Sequence, residues 1–477
     1  MNRLQSMLRP LTALCAVLGL LADAHAQVGR NGSLDASFAG GGKIALPFPG
    51  DLFLKSGSVV DVDRVPSGQL IVAGTVVNAA GNQDFAAIRL SADGVLDTSF
   101  GIDGGRRVGF DRAGSDLDDS LASMLTQADG KVILAGTASG NPATDGSDMA
   151  LVRLTATGQL DTSFGSGGRA LVPFNLGPVG RRGDYGDRLA LQQDGKILLA
   201  GSVEAVDADR IMAVVRLNAN GQRDTTFDSD GRVSVDFSPD YPFAAATQVR
   251  QLADGRILLA GLVLRFGGQG LTADFGLARL LANGAPDPSF GSGGKTVFGF
   301  DVGGTELDVA YDVIELPDGR LLACGYADVN APTNTDMACM RFLQDGSPDP
   351  AFAAVVVPFD RGGDLRDVAS RIGQDGQGRI VLAGSASTAA ANDNFALARL
   401  LPDGELDPSF GNGGTVTHNS CMPLCFPTER DNPGSALVLQ DDGRLVVAGR
   451  VADAGGNYRF LIVRVLGDVL FSDDFQD

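Results

Sequence analysis

Acidic residues are the commonest chemistry-bearing groups in this chain. Three clusters attract notice: Asp116, Asp118 and Asp119; Glu306 and Asp308; Asp364 and Asp367. Two carboxylates on either side of a bond are what glycoside hydrolysis requires, one as acid and one as base or nucleophile. Clustered carboxylates are also hard oxygen ligands, so Ca²⁺ is the one cofactor kept open. The plainer reading is a set of solvated acidic loops. Histidine chemistry is poorly supplied, since beyond residue 26 only His418 occurs. No "G-x-S-x-G" nucleophile elbow of the hydrolase kind accompanies it, and it reads as a loop residue. The stretch "GSGGKT" at 291–296 suggests a phosphate-binding loop. However, the glycine needed five residues before Gly294 is replaced by Ser289, and the residues that follow read as a strand rather than a helix.

Cys421 and Cys425 sit in "HNSCMPLCFP". An oxidising compartment favours a disulfide between them; a metal pair would need further ligands, and only His418 is near. Cys324 and Cys339 fall on neighbouring strands of one unit. They are either bridged or packed as small apolar side chains.

These groups are positioned by a repeat. The phrase "LDTSFGSGG" and its relatives place phenylalanine at 38, 100, 164, 227, 290, 352 and 410. A second phrase of the "GKILLAG" type ends at Gly74, Gly136, Gly201, Gly261, Gly325, Gly384 and Gly449. A third, such as "DFALARL", precedes each return of the first. Self-similarity at a period near sixty residues indicates a repeat architecture. Each copy reads as four strands, here a to d: a half-apolar strand a, an Asp-Gly turn, the "KVILAG" strand b, the "DMALVRL" strand c, then the glycine-rich phrase and a short strand d. No helical period is visible beyond residue 26. Four-stranded antiparallel units arranged around an axis make a β-propeller. The last copy lacks strand d, and a spare strand d stands at 41–48. The sequence therefore predicts an all-β, seven-bladed propeller over 27–467, closed by the N-terminal strand joining the last blade, with an acidic tail at 468–477.

The recurrent polar residues fit a structural turn. Asp35, Asp97, Asp161, Asp224, Asp287, Asp349 and Asp407 recur in the glycine-rich phrase, and Arg89, Arg153, Arg216, Arg279, Arg341, Arg399 and Arg464 recur on strand c. A carboxylate–guanidinium pair in each blade would neutralise two partly buried charges and fix the turn. The alternative is seven equivalent ion sites.

The pattern "G-x-L-D-x-S-F-G-x-G-G", with "DGKILLAG" and "ALARL" around it, resembles the delta-60 repeat of bacterial secreted and surface proteins over roughly 31–467. Arg223 and Pro286 replace the leucine, and the copy around Phe352 lacks the glycines. The resemblance implies a propeller and export, and brings no catalytic residues with it.

Residues 1–26 pair Arg3 and Arg9 with the apolar run "LTALCAVLGLLA" and end on "AHA". That is the form of a secretory signal peptide cleaved after Ala26, and the run is too short to span a bilayer. No later stretch is long and apolar enough to serve as a transmembrane segment. The net charge of −20 excludes a nucleic-acid partner. The b–c and d–a connections share one face of a propeller and carry all the sequence variety, while the other face repeats. The expectation is a secreted or surface-associated monomer, binding a protein or other extracellular ligand through the variable face. The alternative is a propeller hydrolase or lyase using channel carboxylates and Ca²⁺.

Overall fold

A computed structural model describes residues 33–50, 53–112, 117–141, 146–177, 183–206, 210–267, 270–300, 307–329, 334–359, 366–387, 393–418, 432–440, 443–452 and 457–466. Within them the chain is all-β, with 28 strands in seven four-stranded antiparallel blades. Strand a packs against strand a of both neighbouring blades, so it lies innermost, and the short strand d lies outermost. Among the described residues no helix is long and apolar enough to cross a membrane.

Strands b and c bury both faces, as in Val132–Ala138 and Asp148–Leu154 of blade 2. They have to, because each blade is sandwiched between two others. Seven hydrophobic clusters result, each spanning one junction between blades. One joins Val72 and Ile88 of blade 1 to Val446 and Ile462 of blade 7. The ring is therefore closed by the same packing as every other junction.

The N-terminal strand supplies the missing piece. Lys43–Leu46 pairs antiparallel with strand c of blade 7 (Tyr458–Val465), Ile44 opposite Ile462. It is shorter than the predicted 41–48 but in the predicted place. Leu34 adds an isolated bridge to Val465.

One irregularity recurs in strand a. The register slips by one residue between Gly186 and Arg188 of blade 3, and at the matching place in blades 1, 2, 4, 5 and 6. This bulge explains the glycine that ends each "LAG" phrase. The bulged backbone lies over strand b, and a Cβ on Gly136 would stand 2.1 Å from the Ser120 carbonyl oxygen. On Gly325 it would stand 1.8 Å from that of Val309. Only hydrogen fits there. A bulge also re-aims the residue that follows it, which matters at the axis.

Candidate functional site

The glycine-rich phrase forms a staple between blades. In every copy the strand c arginine donates from Nε to the aspartate: Arg153 to Asp161 at 2.8 Å, Arg279 to Asp287 at 2.7 Å and Arg399 to Asp407 at 2.8 Å. The pairs Arg89–Asp97, Arg216–Asp224 and Arg341–Asp349 match them at 2.9, 2.7 and 2.7 Å. The seventh pair uses both ends of the chain, Arg464 with Asp35 at 2.8 Å. The other aspartate oxygen accepts from the residue two places on, as from the Ser163 amide and hydroxyl. Arg153 also donates from Nη1 to the Ala219 carbonyl of the next blade. Its guanidinium lies 4.8 Å from the Phe164 ring centroid, an arrangement repeated in all seven copies. That ring in turn lies against Gly221 of the next blade. Burial alone would raise the Asp161 carboxyl. The Ser163 hydroxyl and amide, Arg153 and Lys131 outweigh it and hold it at about 2.

A second set of aspartates opens strand a. Asp119, Asp184, Asp308 and Asp367 are buried. Each accepts the amide N–H of a phenylalanine two residues past the end of strand d, from Phe110, Phe174, Phe300 and Phe359 at 2.6–2.9 Å. Burial pushes Asp119 up to about 7 and Asp184 to about 6, with Asp84 and Asp148 adding like-charge repulsion. Of the carboxylates expected on the variable face, Asp119, Asp308 and Asp367 thus sit inside this d–a cap and present nothing to solvent. Asp118 is exposed and accepts the Gln83 amide at 2.9 Å. Asp116, Glu306, Asp364, Cys421 and Cys425 lie outside the described residues.

Cys324 and Cys339 are directly opposite across strands b and c of blade 5, with Cα atoms 4.1 Å apart, and they form a disulfide.

The constellation that repeat-by-repeat reading misses lies at the axis. The residue after the bulge is Asp61, Ser123, Arg188, Gln248, Asp312 and Arg371 in blades 1 to 6, and Ala436 holds the matching register in blade 7. Each blade contributes one side chain, so no single repeat contains a motif. Asp61 accepts from Arg188 Nη1 at 2.9 Å, two blades away, and from the Met124 amide at 3.2 Å. Arg371 Nη2 stands 3.9 Å from its other oxygen. Asp312 accepts from Gln248 Nε2 at 2.6 Å and from the Ile372 amide at 3.0 Å, with Arg250 Nη2 at 3.4 Å. The bulge residue Asp187, whose carboxyl lies against Gly201 of strand b, is pushed up to about 7 by burial, against the pull of Arg210. Among the described residues no group of three His, Cys, Asp or Glu side chains could hold a metal ion.

The model of the "Domain of unknown function (DUF5122) beta-propeller" matches at 66–100, 127–164, 192–227, 252–290, 316–352, 378–410 and 440–468. The chain belongs to this family. Six of the seven matches end on the phenylalanine of the staple, so the family's repeat is the turn–b–c–staple unit described above. No curated protein matches the sequence. Solved structures match at low identity and with TM-scores under 0.5. The sialidase of Trypanosoma rangeli is 10% identical with a TM-score of 0.44, over 89% of this chain and 59% of that one. The chain thus spans well under two thirds of the length of that enzyme. The alpha-L-arabinanase of Penicillium chrysogenum is 13% identical with a TM-score of 0.42, over 89% and 98%. A puromycin-hydrolyzing peptidase of Mycobacterium tuberculosis is 13% identical with a TM-score of 0.45, over 92% and 54%.

Proposed function

We propose that this chain is an exported, non-enzymatic scaffold of delta-60-like repeats, monomeric, which binds a protein or other extracellular ligand through its b–c and d–a connections. The observation that carries this reading is a set of exposed apolar side chains in those connections at blades 2 to 4, with Phe266 directly opposite Leu271. Leu176 lies in a d–a connection and is 40% exposed. Val206 (70%), Phe266 (60%) and Leu271 (44%) lie in or beside the b–c connections of blades 3 and 4. The same blades carry cation–aromatic pairs: Arg265 faces the Tyr241 ring at 5.9 Å, and Arg210 faces that of Tyr185 at 3.8 Å. Exposed aromatic and aliphatic side chains together with arginine are the composition of binding hot spots. The signal-like N-terminus and the Cys324–Cys339 bridge both support an oxidising, extracytoplasmic location.

The second reading is a hydrolase or lyase, with Ca²⁺ as its candidate cofactor. It is favoured by Asp187, whose carboxyl holds its proton near neutral pH as a general acid must. Against it, the axial carboxylates Asp61 and Asp312 are already paired with arginines. One experiment separates the two. A panel of glycoside, lactone and phosphoester substrates, with and without Ca²⁺, is expected to give no turnover. Binding to arrayed extracellular proteins and glycans should be lost in Phe266→Asp and Leu271→Asp. Turnover abolished by Asp187→Asn would overturn the scaffold reading.

A further inference from the structure

The axial ring is more than a plug. The ring position is itself balanced, Arg188 and Arg371 against Asp61 and Asp312, but Arg250, two residues further along strand a, reaches in to Asp312, so three guanidinium groups surround these two carboxylates in a chain whose net charge is −20. The excess has an address. Arg188 has a close carboxylate at 2.9 Å, and Arg250 donates from Nε to the Val313 carbonyl at 2.5 Å besides its contact with Asp312. Among the described residues Arg371 makes one hydrogen bond, from Nη1 to the Ser370 carbonyl at 2.7 Å, and the carboxylate oxygen that pairs with it is 3.9 Å away. Its side chain is 15% exposed, and Nε and Nη2, which find no acceptor among the described residues, are open to the solvent of the channel. Burial, with Arg188 alongside as a like charge, pulls Arg371 down to about 10.

Donors open to a channel where seven strands converge are completed by whatever fills it, water or an anion, and an anion gains the charge as well as the hydrogen bonds. A planar guanidinium with unpaired donors beside a second guanidinium is the arrangement that grips an oxyanion by two parallel hydrogen bonds.

We infer that the axis of the propeller is a binding site for a small oxyanion, a carboxylate or a phosphate group, held chiefly by Arg371 and Arg188, with Arg250 and Asp312 fixing the far side. The neutral neighbours suit the role. Ser123 donates toward Asp61 at 3.5 Å, and Gln248 is anchored on Asp312, so neither opposes an incoming negative charge. The site is separate from the exposed apolar side chains of the b–c and d–a connections, and loss of one reading leaves the other standing.

Thermal unfolding of the purified protein tests it, in chloride and in acetate, phosphate or sulfate at matched ionic strength. A ligand that binds only the folded state raises the midpoint with a saturable dependence on its concentration, whereas a general salting effect climbs without saturation. The expected result is a saturable rise with at least one oxyanion and none with chloride, confirmed by calorimetric titration of that oxyanion. A response to acetate alone assigns a carboxylate ligand, and one to phosphate or sulfate alone a phosphoryl-like ligand. Arg371→Gln should weaken the apparent affinity tenfold or more, and Arg371→Lys, which keeps the charge but not the fork, by less. Should Arg371→Gln fail to fold, Arg188→Gln carries the same expectation. No saturable response in the wild type, or an equal response in the folded variants, overturns the site.

Discussion

The staple arginines differ in burial, and their contributions should differ with it. The side chains of Arg279 and Asp287 are 2% and 3% exposed, whereas those of Arg89 and Asp97 are 12% and 19% exposed. Removing one partner of a buried pair strands the other charge, at a cost on the order of 3–5 kcal/mol. Solvent screening reduces that cost for a pair that is partly open to water. Arg279→Ala should therefore lower the denaturation midpoint more than Arg89→Ala, as chemical denaturation would measure. Equal shifts would refute the staple as a buried-charge device. The pH dependence follows the same chemistry. Asp161 and Asp224 titrate at about 2 in the folded chain, below the ordinary value of about 3.9 for an unfolded aspartate. A depressed carboxyl stabilises the fold above its unfolded value and loses that contribution as pH falls through the folded one. The staples' contribution should thus hold down to about pH 4 and be lost between about 4 and 2, while Asp119, Asp184 and Asp187, raised to about 6–7 in the folded chain, should add stability as pH falls from about 7 to about 4. Asp161→Ala should show a shallower fall.

At the scale of the strand, what the sequence reveals is what repeats. The positions of strands b and c were legible because both bury two faces and so read as apolar runs, and the staple because its aspartate, phenylalanine and glycines return together. The bulge was half legible. Its consequence, the obligatory "LAG" glycine, recurs in every copy, but its cause is a backbone slip in strand a that leaves no residue signature. The axial ring was illegible for a related reason. Asp61, Arg188, Asp312 and Arg371 are different residues at one register position, and they become a cluster only when seven strands converge. The d–a carboxylates show the opposite trap. Asp119, Asp308 and Asp367 look like solvent-facing acid in the sequence, yet they turn inward to cap the end of strand d. The cysteines of blade 5 give an element-scale test. Position 324 sits where most copies carry alanine, directly opposite position 339, so two small side chains meet across the hairpin and sulfur can bridge them. Alkylation of the unreduced, denatured protein followed by peptide mass analysis should recover the 324 and 339 peptides linked. Free thiols at both, in protein prepared by export, would reject the bridge. The same digest reads the expected Cys421–Cys425 bridge.

The whole molecule depends on closure, and closure depends on one four-residue strand and one ion pair far apart in sequence. Lys43–Leu46 completes blade 7, and Asp35 completes its staple with Arg464. Arg464 also donates to Ser37 at 3.0 Å, and Phe38 lies beneath its guanidinium at 4.8 Å. The seventh blade therefore has the same parts as the other six, but its parts come from both ends of the chain. Contacts of such sequence separation form late and cost the most chain entropy, so the join between blades 7 and 1 is the place where the ring is expected to open first. Deleting residues 27–49 removes strand d, the staple aspartate and the phenylalanine together. It leaves the edge of Tyr458–Val465 unpaired, an exposed template for pairing with another chain. The truncated protein should aggregate, with hydrogen exchange fastest in blades 7 and 1, while Asp35→Asn alone should loosen those blades without exposing the edge. A truncation that stays monomeric and unfolds at the same temperature as the parent would show that six complete blades hold the ring without the seventh, and the closure argument would fail.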